Sequence, residues 1–489
     1  MSDRPQQLTL AETIIPIASL ILLIALSYYL FGDAGAKGPN QVALTVATMI
    51  AVALAWRKGH TLDELREAAI ASVNSGMGAI FILLAVGALI GTWALSGTLV
   101  AMVYYGLQLL SPIYFYATAA AMCAVISAGI GSSWTVVGTI GIGLMGISAS
   151  MEMNPAITAA AIISGAYFGD TSSPLSDSAN LAAAVAGSDL YRHVRETVVT
   201  SSISLAIALV VFWLLGRPGA FDASEKMAAL DAAFHISPIL FLPLVVVVVL
   251  ALFKFPPFTT IFIGALLGGA IAAIVAPERL VAFADPGGTI PKWLAVCKGV
   301  WLALASGYVS STGYPPVDQL ATRGGMESML DTIWLVITAL AFGGVIEKAG
   351  MLDRLIAPII NAAKSVGALV ASLVGAVLAT SILTADQYMA VVLPGRMFKK
   401  AFEQRGLAPV TLSRSVGASA TPTSALIPWN SCGAYMSATL GVATLSYAPY
   451  AVFNIASPLL TIAFAYAGFR MLGDRRPHDE APEQVRTGQ

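Results

Sequence analysis

Residues 164–187 read SGAYFGDTSSPLSDSANLAAAVAG, a polar core of twelve residues (169–180) set between two apolar flanks. The flanks have the small, apolar composition of packed membrane helix. The core holds Asp170 and Asp177, a run of serines, Asn180 and Pro174. Proline cannot donate a backbone hydrogen bond, so Pro174 frees a carbonyl upstream and breaks the helix. A carboxylate at membrane depth costs ~3 kcal/mol or more unless something offsets it. A helix broken at two acids inside an apolar surround therefore reads as a built site.

The rest of the chain supplies that surround. Of 489 residues, 57% are hydrophobic and 11% are charged, against about 25% charged in soluble domains. Mean hydropathy is +0.79. Residues 68–151 contain no Asp, Glu, Lys or Arg. These values exclude a soluble or disordered chain. The apolar runs are long and unbroken, which excludes the alternation of a β-barrel. The net charge of −1 carries no basic excess for nucleic acid. Cys123, Cys297 and Cys432 are scattered and read as packing residues. The four histidines have no metal-ligand spacing, and no Walker A loop occurs. The N-terminal apolar run from Ile14 to Phe31 is read as a membrane helix rather than a cleaved signal.

The fold class expected is an all-α polytopic membrane protein. Whole spans are predicted at 14–31, 41–56, 77–95, 197–216, 236–253, 258–276, 330–347 and 450–470. Segment 60–73 has its charges on one face and reads as interfacial, as does 292–312. Segments 112–148, 156–187, 365–395 and 407–447 are apolar but interrupted.

An internal repeat orders these pieces. Pro155, Pro174 and Gly187 recur as Pro409, Pro428 and Gly441, each 254 positions later, and residues 93–99 overlie 346–352 at an offset of 253. Arg396, Lys399, Lys400 and Arg405 crowd one loop, whereas the equivalent stretch 142–154 has no basic residue. By the positive-inside rule the first loop is cytoplasmic and the second external. The two repeats are thus expected to be inverted, each with a re-entrant hairpin and a broken helix, as in secondary transporters. The expected organisation is a first repeat over 1–216, an external linker over 217–235, an inverted second repeat over 236–472 and a cytoplasmic tail over 473–489. Both termini then lie in the cytoplasm.

The candidate site combines the breaks and hairpin tips. Asp170, Ser173, Asp177 and Asn180 come from the first break; Thr423 and Asn430 come from the second, Thr421 to Ser431, which has no acid. Thr384 and Asp386 come from the second hairpin tip, whose counterpart, Ser127 to Trp134, has none. Hard oxygen ligands suit a dehydrated alkali cation, and a carboxylate can hold a proton in its place. Asp170, Asp177 and Asp386 are the expected ligands of a transported cation. The plainer alternatives are that Asp177 and Asp386 only cap helices. Arg414 lies in an apolar segment, where it neutralises Asp386, binds an anionic substrate or snorkels to the surface.

At these residues the chain resembles the NhaC-type sodium/proton antiporter family. The resemblance is carried by SGAYFGD-x-x-SPLSD-x-x-NLA (164–182), VAGSDLYRH (185–193), T-x-DQY (384–388), PGRMFKKAFEQRGL (394–407) and LIPWNSCGAYMS-x-x-LGV (426–442). It implies an inner-membrane carrier of bacteria that exchanges sodium, or lithium, for protons, with no resident cofactor and with membrane lipid around it. By similarity Asp170, Ser173, Pro174, Asp177 and Asn180 match the first signature, and Thr384, Asp386, Gln387, Trp429 and Asn430 the second. Related members exchange organic acids such as malate and lactate, so a small carboxylate is the alternative substrate; a homodimer is left open. The chain departs from the family at Thr171-Ser172, where Lys-Met or similar is expected, and that departure bears on ion preference and coupling. An intramembrane aspartyl protease is a remote rival. Its Gly-x-Gly-Asp motif is incomplete, since Asp170 follows Tyr167-Phe168-Gly169. A passive channel is disfavoured by the internal repeat.

The charge asymmetry makes a topological prediction. Single cysteines placed in 142–154, in a background without the three native ones, will be labelled by an impermeant reagent in intact cells. Those in 396–405 will be labelled only after permeabilisation; the reverse pattern overturns the inversion.

Overall fold

In the computed structural model, residues 6–32, 35, 37–216, 224–234, 236–471 and 473 are described. Most of the expected tail and part of the linker, 217–223 and 235, lie outside them. Among the described residues the regular structure is helical, and eight helices are long and apolar enough to cross a membrane. Two bent pairs raise that number to ten if each counts as one span.

The whole spans appear where hydropathy places them: Leu10–Phe31, Pro39–Arg57, Met77–Ser96, Pro257–Val275 and Leu330–Lys348. Their ends are set by local chemistry. Thr9 and Glu12 form a reciprocal capping box at the first helix, and prolines occupy the first turn at Pro39 and Pro257. Leu190–Leu214 starts well before the expected 197, because Asp189 caps it by accepting from the Arg192 amide at 2.9 Å. Hydropathy reports the span and misses its polar first turns. The expected 236–253 span is a short turn of 3₁₀ helix, Pro238–Phe241, leading into Leu242–Leu252.

Helix Leu62–Ser75, expected at the interface, packs along the C-terminal half of Leu330–Lys348. A Cβ on Gly344 would lie 2.6 Å from the Ala68 carbonyl oxygen and 2.7 Å from Ser72 Cβ. Absence of a side chain there lets the amphipathic helix face protein with one side. Lys292–Ala305 has 14 residues, about 21 Å at 1.5 Å per residue, and is too short to cross ~30 Å of hydrocarbon alone.

Each interrupted segment is two helices joined at a tip or break. The first hairpin is Phe115–Ile130 and Ser133–Ser150; the second is Val366–Thr384 and Gln387–Glu403. The first broken helix is Pro155–Ser172 followed by Asp177–Ala186, and the second is Pro409–Ser424 followed by Ser431–Leu440. The sequence repeat recurs in the backbone at the same offsets. Gly131 and Ala385 both turn the hairpin tips at positive φ, +77° and +56°. The next residues, Ser132 and Asp386, cap the returning arms by accepting from the amides of Thr135 and Met389. Gly187 and Gly441 end the half-helices at φ +77° and +70°, and Gly97 and Gly350 turn at +89° and +68°.

Packing crosses between the repeats. Half-helix Asp177–Ala186 lies on the second hairpin, where a Cβ on Gly395 would meet Val185 Cγ1 at 2.6 Å. Half-helix Ser431–Leu440 lies on the first hairpin: Tyr435 stacks on Trp134 with ring centroids 4.1 Å apart and donates its hydroxyl to the Trp134 carbonyl at 2.8 Å. Within the first repeat, Pro155–Ser172 presses on the outgoing hairpin arm. A Cβ on Gly169 would sit 2.0 Å from the Ser127 carbonyl carbon and 2.3 Å from the Ala128 nitrogen.

That last contact is backbone against backbone and cannot relax by a rotamer change. Gly169→Ala will therefore lower the thermal transition of the purified protein, at a cost of about 1–3 kcal/mol for an overpacked core position. Gly375→Ala meets nothing within 4 Å and will leave the transition unchanged or raise it. Equal transitions for the two variants would refute the close approach.

Candidate functional site

The first break leaves Ser173 at the end of Pro155–Ser172, and the chain re-enters helix at Asp177. Asp170 sits one turn before the break and is 7% exposed. Its carboxylate accepts from Ser133 Oγ (2.5 Å) on the returning arm of the first hairpin. It also accepts from Ser176 (2.9 Å) and Ser178 (3.1 Å) beyond the break. Three hydroxyl donors thus solvate a buried carboxylate that has no cation beside it among the described residues.

The network continues into the second repeat. Gln387 Nε2 donates to Ser178 Oγ at 2.5 Å, while its Oε1 accepts from Ser424 Oγ at 2.9 Å and lies 3.0 Å from Cys432 Sγ. Ser133 and Asp170 stand in the repeat register of Gln387 and Ser424. The same contact is made twice, once as hydroxyl to carboxylate and once as hydroxyl to amide.

This network borders a cavity of about 710 Å³ lined by Asp170, Asp177, Asn180, Asp386, Gln387 and Tyr388, and also by Tyr191, Lys254 and Gly76. Three of the expected acids therefore share one cavity. They are not gathered around one point: among the described residues no group of three His, Cys, Asp or Glu is placed to hold a metal ion. Asp177 is exposed in the cavity, in the first turn of its half-helix, where negative charge suits the helix dipole. Its capping alternative falls to Ser176, which accepts from the Ala179 amide at 3.3 Å. Asp386 lines the cavity and caps as well, its Oδ1 accepting from the Met389 amide at 2.8 Å. Asn180 reaches back to the Ser176 carbonyl at 2.8 Å.

The remaining expected residues serve the backbone around the cavity. Ser173 donates to the Ala128 carbonyl at 2.9 Å, and Asn430 to the Ser381 carbonyl at 3.2 Å. Thr384 and Thr423 donate one turn back, to the carbonyls of Thr380 (2.9 Å) and Ser419 (2.6 Å). None of these four lines the cavity. Arg414 is 2% exposed and lies apart from it; the charges acting on it are Glu196 and Arg470, not Asp386. Burial argues against the snorkelling alternative. Sequence reasoning missed Ser133, Ser178 and Ser424, and took Cys432 for packing. Extending the 254-residue register to every polar residue pairs Ser133 with Gln387 and Ser178 with Cys432, and would have drawn attention to them.

Carboxylates at a broken helix and at a hairpin tip fit the comparisons with known proteins. The family model described as the Na+/H+ antiporter family matches residues 165–469. The chain belongs to that family. A relative from Alkalihalophilus pseudofirmus, described as Na(+)/H(+) antiporter NhaC, is 33% identical over 94% of this chain and 96% of its own length. An arginine/ornithine antiporter, ArcD, of Halobacterium salinarum is also 33% identical, over 99% of this chain and 96% of its own. A malate-2H(+)/Na(+)-lactate antiporter of Bacillus subtilis is 32% identical, over 94% and 95%. The family match spans both breaks and the second hairpin. The relatives are transporters, and a protease has no support in the geometry either: Asp170 is held by serines, not by a second acid.

The division between cavity and scaffold is testable in proteoliposomes with a pH gradient. Asp177→Asn will abolish sodium-dependent exchange in inserted protein, and Asp170→Asn and Asp386→Asn will reduce it by about tenfold or more, roughly 1.4 kcal/mol. Thr384→Ala and Thr423→Ala will keep most of it. Normal exchange by Asp177→Asn would remove the site.

Proposed function

We propose that this protein is a secondary antiporter that moves sodium, or lithium, outward and protons inward across a bacterial inner membrane by alternating access. The observation that carries this reading is the cavity at the two breaks, with Asp170, Asp177 and Asp386 on its wall. A carboxylate offers a bare cation charge and hard oxygen, and the same group neutralised by a proton offers neither. Competition for one set of groups is sufficient to couple two ions. The exchange draws on no cofactor.

The repeat is proposed to be inverted in the membrane, with both termini and the 396–405 loop in the cytoplasm and the first repeat, linker, second repeat and tail divided at 216, 235 and 472. In that orientation Lys254 and Tyr191, at the ends of Leu242–Leu252 and Leu190–Leu214, lie on the proposed cytoplasmic side of the cavity they help to line.

A second reading is favoured by size. A cavity of about 710 Å³ lies within the range that holds whole small molecules, far above what a bare cation fills. The relatives named for malate and lactate and for arginine and ornithine support an organic solute as co-substrate. A wall with three acids and one lysine, Lys254, suits an amine better than a carboxylate.

Liposomes holding purified protein, given a pH gradient and sodium, potassium, malate, lactate, arginine or ornithine separately, separate these readings. For sodium, the half-saturating concentration will rise as pH falls, because a protonated acid is neutral and binds the cation poorly. It will level off once the acids are fully ionised. A constant value between roughly pH 6 and pH 9, with no membrane potential, would mean that the ions do not share a site.

A further inference from the structure

A second concavity, of about 340 Å³, is chemically the opposite of the first. Its wall includes Ser150, Lys226, Tyr314, Gln319 and Arg323. It lies at the far end of the helix Ser133–Ser150, whose first residue donates to Asp170. Fifteen residues separate Thr135, on the central cavity, from Ser150, about 22 Å along a helix axis.

Arg323 is the unusual member. Its Nε is buried without an acceptor among the described residues. Burial lowers its pKa, and no carboxylate acts on it in opposition. Glu327, four residues on, is exposed and makes no ion pair with it, and the acids Asp318 and Glu152 are committed elsewhere. Asp318 accepts from Ser310 Oγ, the Thr312 amide and hydroxyl and the Gly313 amide. Glu152 pairs with Lys226 at 3.1 Å, and Lys226 also donates to the Ser150 carbonyl at 2.7 Å.

The position of Arg323 is fixed by its backbone. Its amide donates to the Tyr308 carbonyl (3.0 Å) and its carbonyl accepts from the Tyr308 amide (3.2 Å). The next two residues, Gly324 and Gly325, have φ of +90° and +86°, and the Gly325 amide donates to the Gly87 carbonyl at 2.7 Å. The loop thus brings a guanidinium with an unsatisfied Nε to a concave surface that also carries an ammonium, a phenol and an amide. A half-buried cation without a counter-charge is costly, and planar guanidinium donors match the oxygens of a carboxylate or phosphate.

We propose that this pocket binds a small oxyanion, a carboxylate or phosphate group seated between Arg323 and Lys226. The site is separate from the ion-exchange cavity and does not depend on that reading. The anion is either a free solute or the phosphate of a lipid headgroup, and the test distinguishes them.

Protein in phosphatidylcholine nanodiscs is titrated calorimetrically with malate and with inorganic phosphate, against sodium chloride of equal ionic strength. At least one of the two will bind. Arg323→Gln will weaken binding by about tenfold or more, a loss of roughly 1.4 kcal/mol. Arg323→Lys will lose less, because it keeps the charge. Gln319→Glu, an exposed substitution that adds a negative charge to the wall, will also weaken it and carries the test if Arg323→Gln does not fold. Sodium exchange will persist in Gln319→Glu and in folded Arg323→Gln. In nanodiscs containing phosphatidylglycerol, unchanged anion affinity assigns a free solute; competition that Arg323→Gln relieves assigns the headgroup. No binding in either lipid, or binding that neither Arg323→Gln nor Gln319→Glu weakens, overturns the site.

Discussion

Everything in this molecule depends on satisfying backbone that is not helical at membrane depth. Lipid offers no hydrogen bonds, so each break must find partners within the protein. Hairpin and break supply them to each other. Ser173 donates to the Ala128 carbonyl on the first hairpin. In the second repeat the Ser431 amide donates to the Ala385 carbonyl, Trp429 to the Ile382 carbonyl and Asn430 to the Ser381 carbonyl. Hairpin and break are therefore one device. A break alone would leave groups unpaired, and a hairpin tip alone would do the same.

Two copies of that device have diverged at the one contact that carries charge. Asp170 with Ser133 and Ser424 with Gln387 are equivalent in register, but only the first holds an ionisable group. The second copy keeps the hydrogen-bonding geometry and contributes its acid instead at the hairpin tip, as Asp386. Charge is thus placed on both walls of the cavity while neither repeat carries the full set. Gln387 joins them, donating to Ser178 in one repeat and accepting from Ser424 in the other.

The class of fold was legible because it rests on bulk properties: apolar length, missing charge and a register of prolines and glycines. The breaks were legible because Pro174 and Asp170 are expensive where they stand. What escaped was the use of the small hydroxyls. Ser133, Ser178 and Ser424 are as cheap in a membrane helix as alanine, since a serine can bond one turn back along its own helix, as Ser415 and Ser419 do. Residue type alone does not say which serine turns outward to a neighbour. For the same reason Thr384 and Thr423 resembled ligands in sequence and bond to their own helices in the structure. Arg414 was ambiguous because the charges that act on it, Glu196 and Arg470, are distant in the chain.

The hydrogen bonds of Asp170 also tie ion occupancy to shape. Its three donors belong to different bodies: Ser133 to the first hairpin, Ser176 to the break and Ser178 to a half-helix braced on the second hairpin through Gln387. Hydrogen bonds to an ionised carboxylate are roughly twice as strong as those to a neutral group. A proton on Asp170 weakens all three at once, and a cation competes with the hydroxyl hydrogens for the same oxygens. In the proposed exchange, either event would loosen the joint where the two repeats meet. In that exchange, loading and movement would then be linked through one carboxylate, without a separate signalling path between them.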